Sequence, residues 1–251
     1  MLIDANAGNY RFLPSSATYS SGAVAMTGYA IVHATFRRPR PVAQAFADIQ
    51  AYLSGLGRPM QSVCGFELRS PKPFTFDGFA QFNRGYVELL KEYQLHLDGY
   101  GPAARTNVCP EPLTIAPSEP SVYAFSYTVP SPAKQVSFVG AGAGEIKPGP
   151  FTRDSIVRLG ETTADAMREK AAFVMSLLAE EMAGLGVSWK DATAANIYTV
   201  HPLESYFVSD ILAPMGETAI HGAHWFNTRP PIVEIEFEMD VRGVAQEVVL
   251  G

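Results

Sequence analysis

The sequence predicts an α+β fold made of two copies of one plan, each a mixed sheet with two helices on one face. Three observations predict it. Two amphipathic helical segments end in the same dipeptide, Leu56-Gly57 and Leu185-Gly186. The 129-residue offset between them runs without a gap into the next element, so that Ser62 falls on Asp191, Leu68 on Ile197, Ser70 on Thr199 and Pro73 on Pro202. Both copies then read turn, strand, helix, loop and two strands. Two units of this size fit 251 residues, since a domain takes about 100–200.

The elements follow in order. Residues 23–36 open the first copy as strands. Residues 41–57 place Val42, Phe46, Ile49, Leu53 and Leu56 on one helical face, with Pro41 in the first turn and Gly57 as the stop. A strand follows over 63–70. Residues 76–93 form a second helix with Phe76, Phe79, Phe82, Tyr86, Leu89 and Tyr93 on one side. Strands near 104–109 and 121–128 close the copy. Pro130 and Pro132 interrupt any regular element, which divides the chain into 1–130 and 131–251. The second copy opens with strands at 135–142 and 154–159. Its long helix, 162–186, carries Met167, Ala171, Val174, Leu178, Met182 and Leu185, and Thr162 with Asp165 resembles a capping box. A strand over 193–200, a short helix over 203–213 stopping before Pro214, and strands at 220–226 and 232–241 complete it. Two helices over one face of a sheet is the economical packing for each copy.

Composition excludes several classes of function. The net charge is −6, which disfavours a non-specific nucleic-acid binder. An anionic small molecule needs only one or two local cations and stays compatible. No apolar run reaches the length of a membrane span, and Met1-Leu2-Ile3-Asp4 does not read as a secretion signal. The two cysteines, Cys64 and Cys109, make no metal or redox spacing and read as reduced thiols of a cytoplasmic protein.

A few residues carry candidate chemistry. Arg105 follows a Gly- and Pro-rich loop and opens a strand; its guanidinium offers a rigid donor fork to a carboxylate. Strand 232–241 alternates strictly, with Val233, Ile235, Phe237, Met239 and Val241 toward the core and Glu234, Glu236, Glu238 and Asp240 on the other, solvated face. Glu234, nearest the loop, is the carboxylate expected to activate water. The matching face of the first copy, Tyr123, Phe125 and Tyr127, is expected to be covered by another half or subunit. His221 and His224 lie three apart on a strand and point to opposite faces, so they share no metal. His221 suits proton donation. Residues 140–145, GAGAGE, fail the dinucleotide-loop spacing and read as a turn.

The stretches Ala104-Arg105-Thr106-Asn107-Val108 and Val233-Glu234-Ile235-Glu236, with the helix-Leu-Gly-turn-strand unit present twice, resemble the Rid family (YjgF-type reactive imine deaminases) over essentially the whole chain. The resemblance implies two fused Rid-like (chorismate-mutase-like) halves and a homo-oligomer, typically a trimer, with sites between neighbouring units. It departs from the family pattern in three places: the second copy has no arginine at the family position, with His221 nearest; the first has Tyr123 where the family has glutamate; and Phe138–Gly142 lacks the usual serine.

Long two-copy members of this kind are similar to 2-aminomuconate-type deaminases of aromatic degradation. The function implied is hydrolytic deamination of a small carboxylate-bearing enamine or imine, of 2-aminomuconate or 2-amino-5-chloromuconate type, without cofactor or metal. Arg105 would hold the carboxylate, Asn107 and His221 would orient or protonate the enamine, and Glu234 would direct water. Tyr123, His224 and Arg229 complete the expected substrate contacts. A chorismatase-like hydrolase and a non-catalytic ligand-binding protein remain the alternatives.

Overall fold

The computed structural model describes residues 1–251. Its first strands are β1 (Ile3–Ala5), β2 (Tyr10–Leu13), β3 (Gly22–Ala25) and β4 (Tyr29–Pro41). Helix α1 (Val42–Gly55) buries Ala45, Phe46, Ile49 and Leu53, the predicted face. Strand β5 (Val63–Arg69) leads to α2 (Phe76–Glu92), capped by Thr75 Oγ1, which accepts from the Gly78 N–H at 3.1 Å. Strands β6 (Ala104–Pro110), β7 (Ser121–Pro130), β8 (Phe138–Gly140) and β9 (Ala143–Gly144) follow. Helix α3 (Ala164–Leu185) starts at Thr163 rather than Thr162 and ends at Gly186 with φ of 81°. That left-handed stop needs glycine.

Beyond β10 (Ala194–Tyr198) the expected short helix is a π-helical stretch, Phe207–Leu212, running into α4 (Ala213–Met215). Pro214 therefore sits inside α4 instead of ending the helix before it. The last strands are β11 (His224–Phe226), β12 (Thr228–Arg229), β13 (Glu238–Gly243) and β14 (Gln246–Leu250). No helix is long and apolar enough to cross a membrane.

The strands form two sheets. One has the order β12-β6-β5-β7-β4-β14; the other runs β1-β2-β3-β8-β13-β10-β11, with β9 also on β13. Four strands of each share one plan. β6 is parallel to β5 as β11 is parallel to β10, and β7 and β13 are antiparallel to both their neighbours. Strands also cross the 130/131 division. β1–β3 extend the sheet of the second half, while β12 and β14 extend that of the first.

Helices cover the outer faces. Phe46, Ile49 and Leu53 of α1 pack on the first sheet, where Phe46 stacks on Phe66 at 4.9 Å between ring centroids. Val174, Leu178 and Leu185 of α3 pack on Ile197, Met239 and Val241 of the second. Burying each such side chain stabilises the fold by about 1.5–3 kcal/mol. The inner faces of the sheets meet each other. Apolar contacts there are few, among them Tyr10, Phe12, Ile31, Cys64 and Val139, and polar groups fill the rest. Thr106 and Tyr198 each donate to Asp240 Oδ2, at 2.7 and 2.8 Å, and Asn196 Nδ2 donates to its other oxygen at 2.8 Å. Arg242 and Arg69 approach Glu67 at 3.7 and 3.6 Å.

This packing corrects several sequence expectations. Glu238 and Asp240 are buried, because the face read as solvated lies against the other sheet. Phe125 and Tyr127 are covered within their own half by Tyr52 of α1 rather than by another half or subunit. Tyr123 leaves that face because β7 slips register opposite Glu67 and Leu68, which turns its ring onto Arg69 at 4.1 Å. Residues 154–159 form a 3-10 turn, Arg153–Ser155, and one bridge from Ile146 to Ile156, not a strand.

The strand expected over 232–241 begins only at Glu238, for a local reason. The Glu145 carboxylate accepts from the backbone N–H groups of Glu236 (2.6 Å) and Phe237 (3.0 Å) and takes them out of any ladder. Glu145 is wholly buried, as is Lys170 of α3, which donates to Glu145 at 3.1 Å and to the Val157 carbonyl at 2.7 Å. Lys170→Met leaves this carboxylate buried without its cation, and we expect a loss of about 3–5 kcal/mol in chemical denaturation. The double variant Lys170→Met/Glu145→Leu stays well below the parent, because the N–H groups at 236 and 237 keep no acceptor. A parent-like midpoint for Lys170→Met would contradict this account.

Candidate active site

A cleft of about 270 Å³ opens where β6, α2, α3 and the start of β13 converge beside the segment 141–151. Its chemistry starts with Arg105. The residue is 4% exposed, and its Nη2 donates to Asn83 Oδ1 at 2.8 Å. Its guanidinium lies over the rings of Tyr19 (4.7 Å) and Tyr86 (4.9 Å), with Phe79 at 5.4 Å. No carboxylate pairs with it, and Nη1 is buried without a partner. Burial lowers its pKa, opposed by Tyr86, Tyr19 and Glu238. Arginine nonetheless stays charged. A buried guanidinium with an unused donor is a prepared anion site.

Asn107 stands two residues along the same strand and lines the same cleft. Its Oδ1 accepts from Ser70 Oγ at 2.9 Å, and its Nδ2 is a second buried donor without a partner. Facing them are two carboxyls. Glu238 lies against Gly142, where a Cβ would collide with the carboxylate. Burial pushes its pKa well above the usual range, with Asp240 and Glu145 adding repulsion and Arg105 and Arg69 opposing. Glu181 of α3 has its pKa pushed up to about 7, chiefly by burial, against a hydrogen bond from Ser21; its Oε2 is buried and unpartnered. A carboxyl poised near neutrality is suited to give and take a proton.

Of the residues the sequence singled out, the fold brings Arg105 and Asn107 into this cleft. It places the others elsewhere. Glu234 sits in an exposed turn with φ of 72°, held by Arg153 through bonds of 2.6 and 2.5 Å that keep its pKa below the ordinary carboxylate range. His221 ends an exposed 3-10 turn. His224 contacts Asn196 Oδ1 at 3.3 Å. Arg229 pairs with Glu111 and Glu236, both at 3.3 Å. Tyr123 lies in the layer between the sheets, against Arg69. The register also replaces the expected counterpart of Arg105. Thr106 pairs with Glu67 as His224 pairs with Asn196, which puts Ala223, not His221, at the equivalent position.

Sequence reasoning missed Glu181 and Glu238. The first had a legible signal: Val174, Leu178, Glu181 and Leu185 share one helical stripe, so an acid stood among apolar positions. The second was assigned to a solvated face. The 140–145 segment read as a turn forms parts of β8 and β9 and lines the cleft. No group of three or more His, Cys, Asp or Glu side chains is arranged to hold a metal ion.

The raised pKa of Glu181 has a consequence for stability. The folded state holds this proton more tightly than the unfolded chain, whose carboxyl titrates near 4.5. The resulting stabilisation is complete below about pH 4.5 and is lost as pH rises through about 7. Glu181→Gln removes the dependence. Relative to the parent, we expect it to gain about 2–3 kcal/mol between pH 5 and pH 8, read as melting temperatures of both proteins across that range. Parallel curves would refute the placement.

Comparison with known proteins places the chain in a family. Residues 2–248 match the family model described as 2-aminomuconate deaminase CnbZ. A 2-amino-5-chloromuconate deaminase of Comamonas testosteroni is 42% identical, covering 97% of this chain and 96% of that protein. Among solved structures, a chorismatase crystal structure aligns at a TM-score of 0.46 and 13% identity, over 90% of this chain and 77% of that one, a likeness too slight to bear on function. On the full-length family match and the close relative, the chain belongs to the 2-aminomuconate deaminase family.

Proposed function

We propose that this protein catalyses hydrolytic deamination of a 2-aminomuconate-type enamine, releasing ammonia. The observation that carries the proposal is the buried, unpaired Arg105 guanidinium lining one cleft with two carboxyls of raised pKa. The reaction adds water across the carbon–nitrogen bond of the imine tautomer: the enamine and one water give the 2-oxo acid and ammonia.

In this scheme the fork of Arg105 and the free Nδ2 of Asn107 hold the carboxylate next to the amino-bearing carbon. The protonated carboxyl of Glu181 gives its proton to the enamine carbon, which turns the C–N bond into an electrophilic iminium. The carboxylate so formed takes a proton from the attacking water. It then delivers that proton to nitrogen, and as the C–N bond breaks and ammonia departs it takes the hydroxyl proton of the carbinolamine, which leaves the 2-oxo acid and restores the Glu181 carboxyl. Glu238, whose burial favours its neutral form and whose carboxyl lies against Gly142, orients the water. The protonated imine is its own electrophile, so the scheme calls on no cofactor. The repeated strand order supports reading 1–130 and 131–251 as fused copies of one Rid-like plan, with this cleft where the halves meet.

Ammonia release from 2-aminomuconate tests the assignment. Glu181→Gln should lower kcat by about 10²–10⁴-fold. Arg105→Lys, which keeps the charge and loses the fork, should act mainly on KM, by tens- to hundreds-fold. Glu234→Gln, at an exposed ion pair outside the cleft, should stay close to the parent. Parent-like turnover in Glu181→Gln, or abolition of turnover in Glu234→Gln alone, would overturn this assignment.

A further inference from the structure

The cleft is lined by two cations, and the scheme above uses one. The other is Lys147, on the segment Ile146–Phe151 that forms the rim. This rim is tied down at several points. The Ile146 N–H donates to the Gly144 carbonyl and the Lys147 N–H to the Ser155 carbonyl, both at 2.8 Å. Phe151 packs on Phe76 at 5.5 Å and on Phe79 at 6.3 Å, and Arg153 is clamped by Glu234. The Lys147 ammonium has no ion-pair partner on the protein. Much of the wall between rim and floor is apolar, from Phe79, Ile146, Phe151 and Ile235.

The charge balance of the cleft is informative. Its two acidic residues, Glu181 and Glu238, are both biased toward their neutral forms. Two cations then line one partly apolar cleft, and neither is in an ion pair with a carboxylate of the protein. A monoanion would leave one cation unanswered. A ligand with a carboxylate at each end of an unsaturated carbon chain answers both and fills the apolar wall. The two cations also differ in kind. Arg105 is buried and rigid, whereas Lys147 reaches from the rim on a flexible stem and can follow a terminal carboxylate whose position varies with substitution on the chain.

We infer that Lys147 binds the distal carboxylate of a dicarboxylate substrate whose proximal carboxylate sits on Arg105, and so selects dianions over monocarboxylate enamines. The inference rests on the placement of the substrate site in this cleft. It makes Lys147 a specificity-determining residue with no part in proton transfer.

Two stable acids with the same six-carbon diene test it: trans,trans-muconate, with two carboxylates, and sorbate, with one. Calorimetric binding to the intact protein at low salt should favour muconate by about tenfold. Lys147→Met should bring muconate down to the affinity of sorbate and leave sorbate unchanged, while Lys147→Arg retains most of the preference. Added salt should narrow the gap in the parent, since a rim ion pair is screened. Arg105→Lys should weaken both acids. Equal binding of the two acids by the parent, with Arg105→Lys still weakening both, would overturn the role of Lys147 and leave the site standing. A preference that survives in Lys147→Met would do the same. Failure of both acids to bind at millimolar concentration would remove the site reading together with the inference.

Discussion

The contact between Lys170 and Glu145 fixes where everything else in the cleft stands. Both side chains are inaccessible to solvent, and each is satisfied beyond the pair itself, by the Val157 carbonyl on one side and two backbone N–H groups on the other. One interaction thereby joins α3, which carries Glu181, to the segment after β9 and to the residues just before β13, which carries Glu238. A buried ion pair is a costly way to stabilise a fold, since desolvation offsets most of the attraction. Its value here is geometric. Apolar residues could fill the space, but they could not end a strand at a chosen residue by capturing its amides.

A second layer of polarity lies between the sheets. Asp240 with three donors, and Glu67 with two arginines and His33, occupy space that a sandwich normally gives to aliphatic side chains. Burial drives the His33 pKa down to about 3, so at neutral pH this imidazole carries no charge and shares a hydrogen bond with Ser126. The network registers one sheet against the other through directional bonds, where a greasy interface would permit sliding. Register matters because the cleft takes Arg105 from one sheet and Glu238 from the other.

The sequence disclosed the parts governed by local periodicity. The three long helices and the Leu-Gly stops followed from side-chain spacing along one segment, and Arg105 with Asn107 followed from a short motif on one strand. The carboxyl partners were harder to read. Alternation separated two faces only over residues 237–241, since Val233 is exposed and Ile235 lines the cleft with Glu238, and no single strand reveals whether its polar face meets water or another sheet. Glu238 was set aside on that account. Glu234 stands nearest the loop and within the short Val233–Glu236 motif, but the capture of two amides by Glu145, some ninety residues earlier, could not be inferred from local pattern. Glu181 was visible in principle, as a single acid on an apolar stripe. The slip at Tyr123 depends on pairing with a neighbouring strand and leaves no mark in the residue pattern.

The crossed strands bear on how the chain is made. β4 needs β14 along its outer edge, yet Gln246 follows its partner Val32 by roughly two hundred residues of intervening chain. At ordinary translation speeds that gap lasts about 10–40 s. Through that interval the first sheet has an unpaired edge, which is an invitation to pair with a neighbouring nascent chain. β1–β3 face the opposite wait, since their neighbour β8 is synthesised more than a hundred residues later. Because each sheet takes strands from both sides of residue 130, neither side completes its sheet alone. Splitting the reading frame at residue 130 would leave each fragment short of strands that only the other encodes.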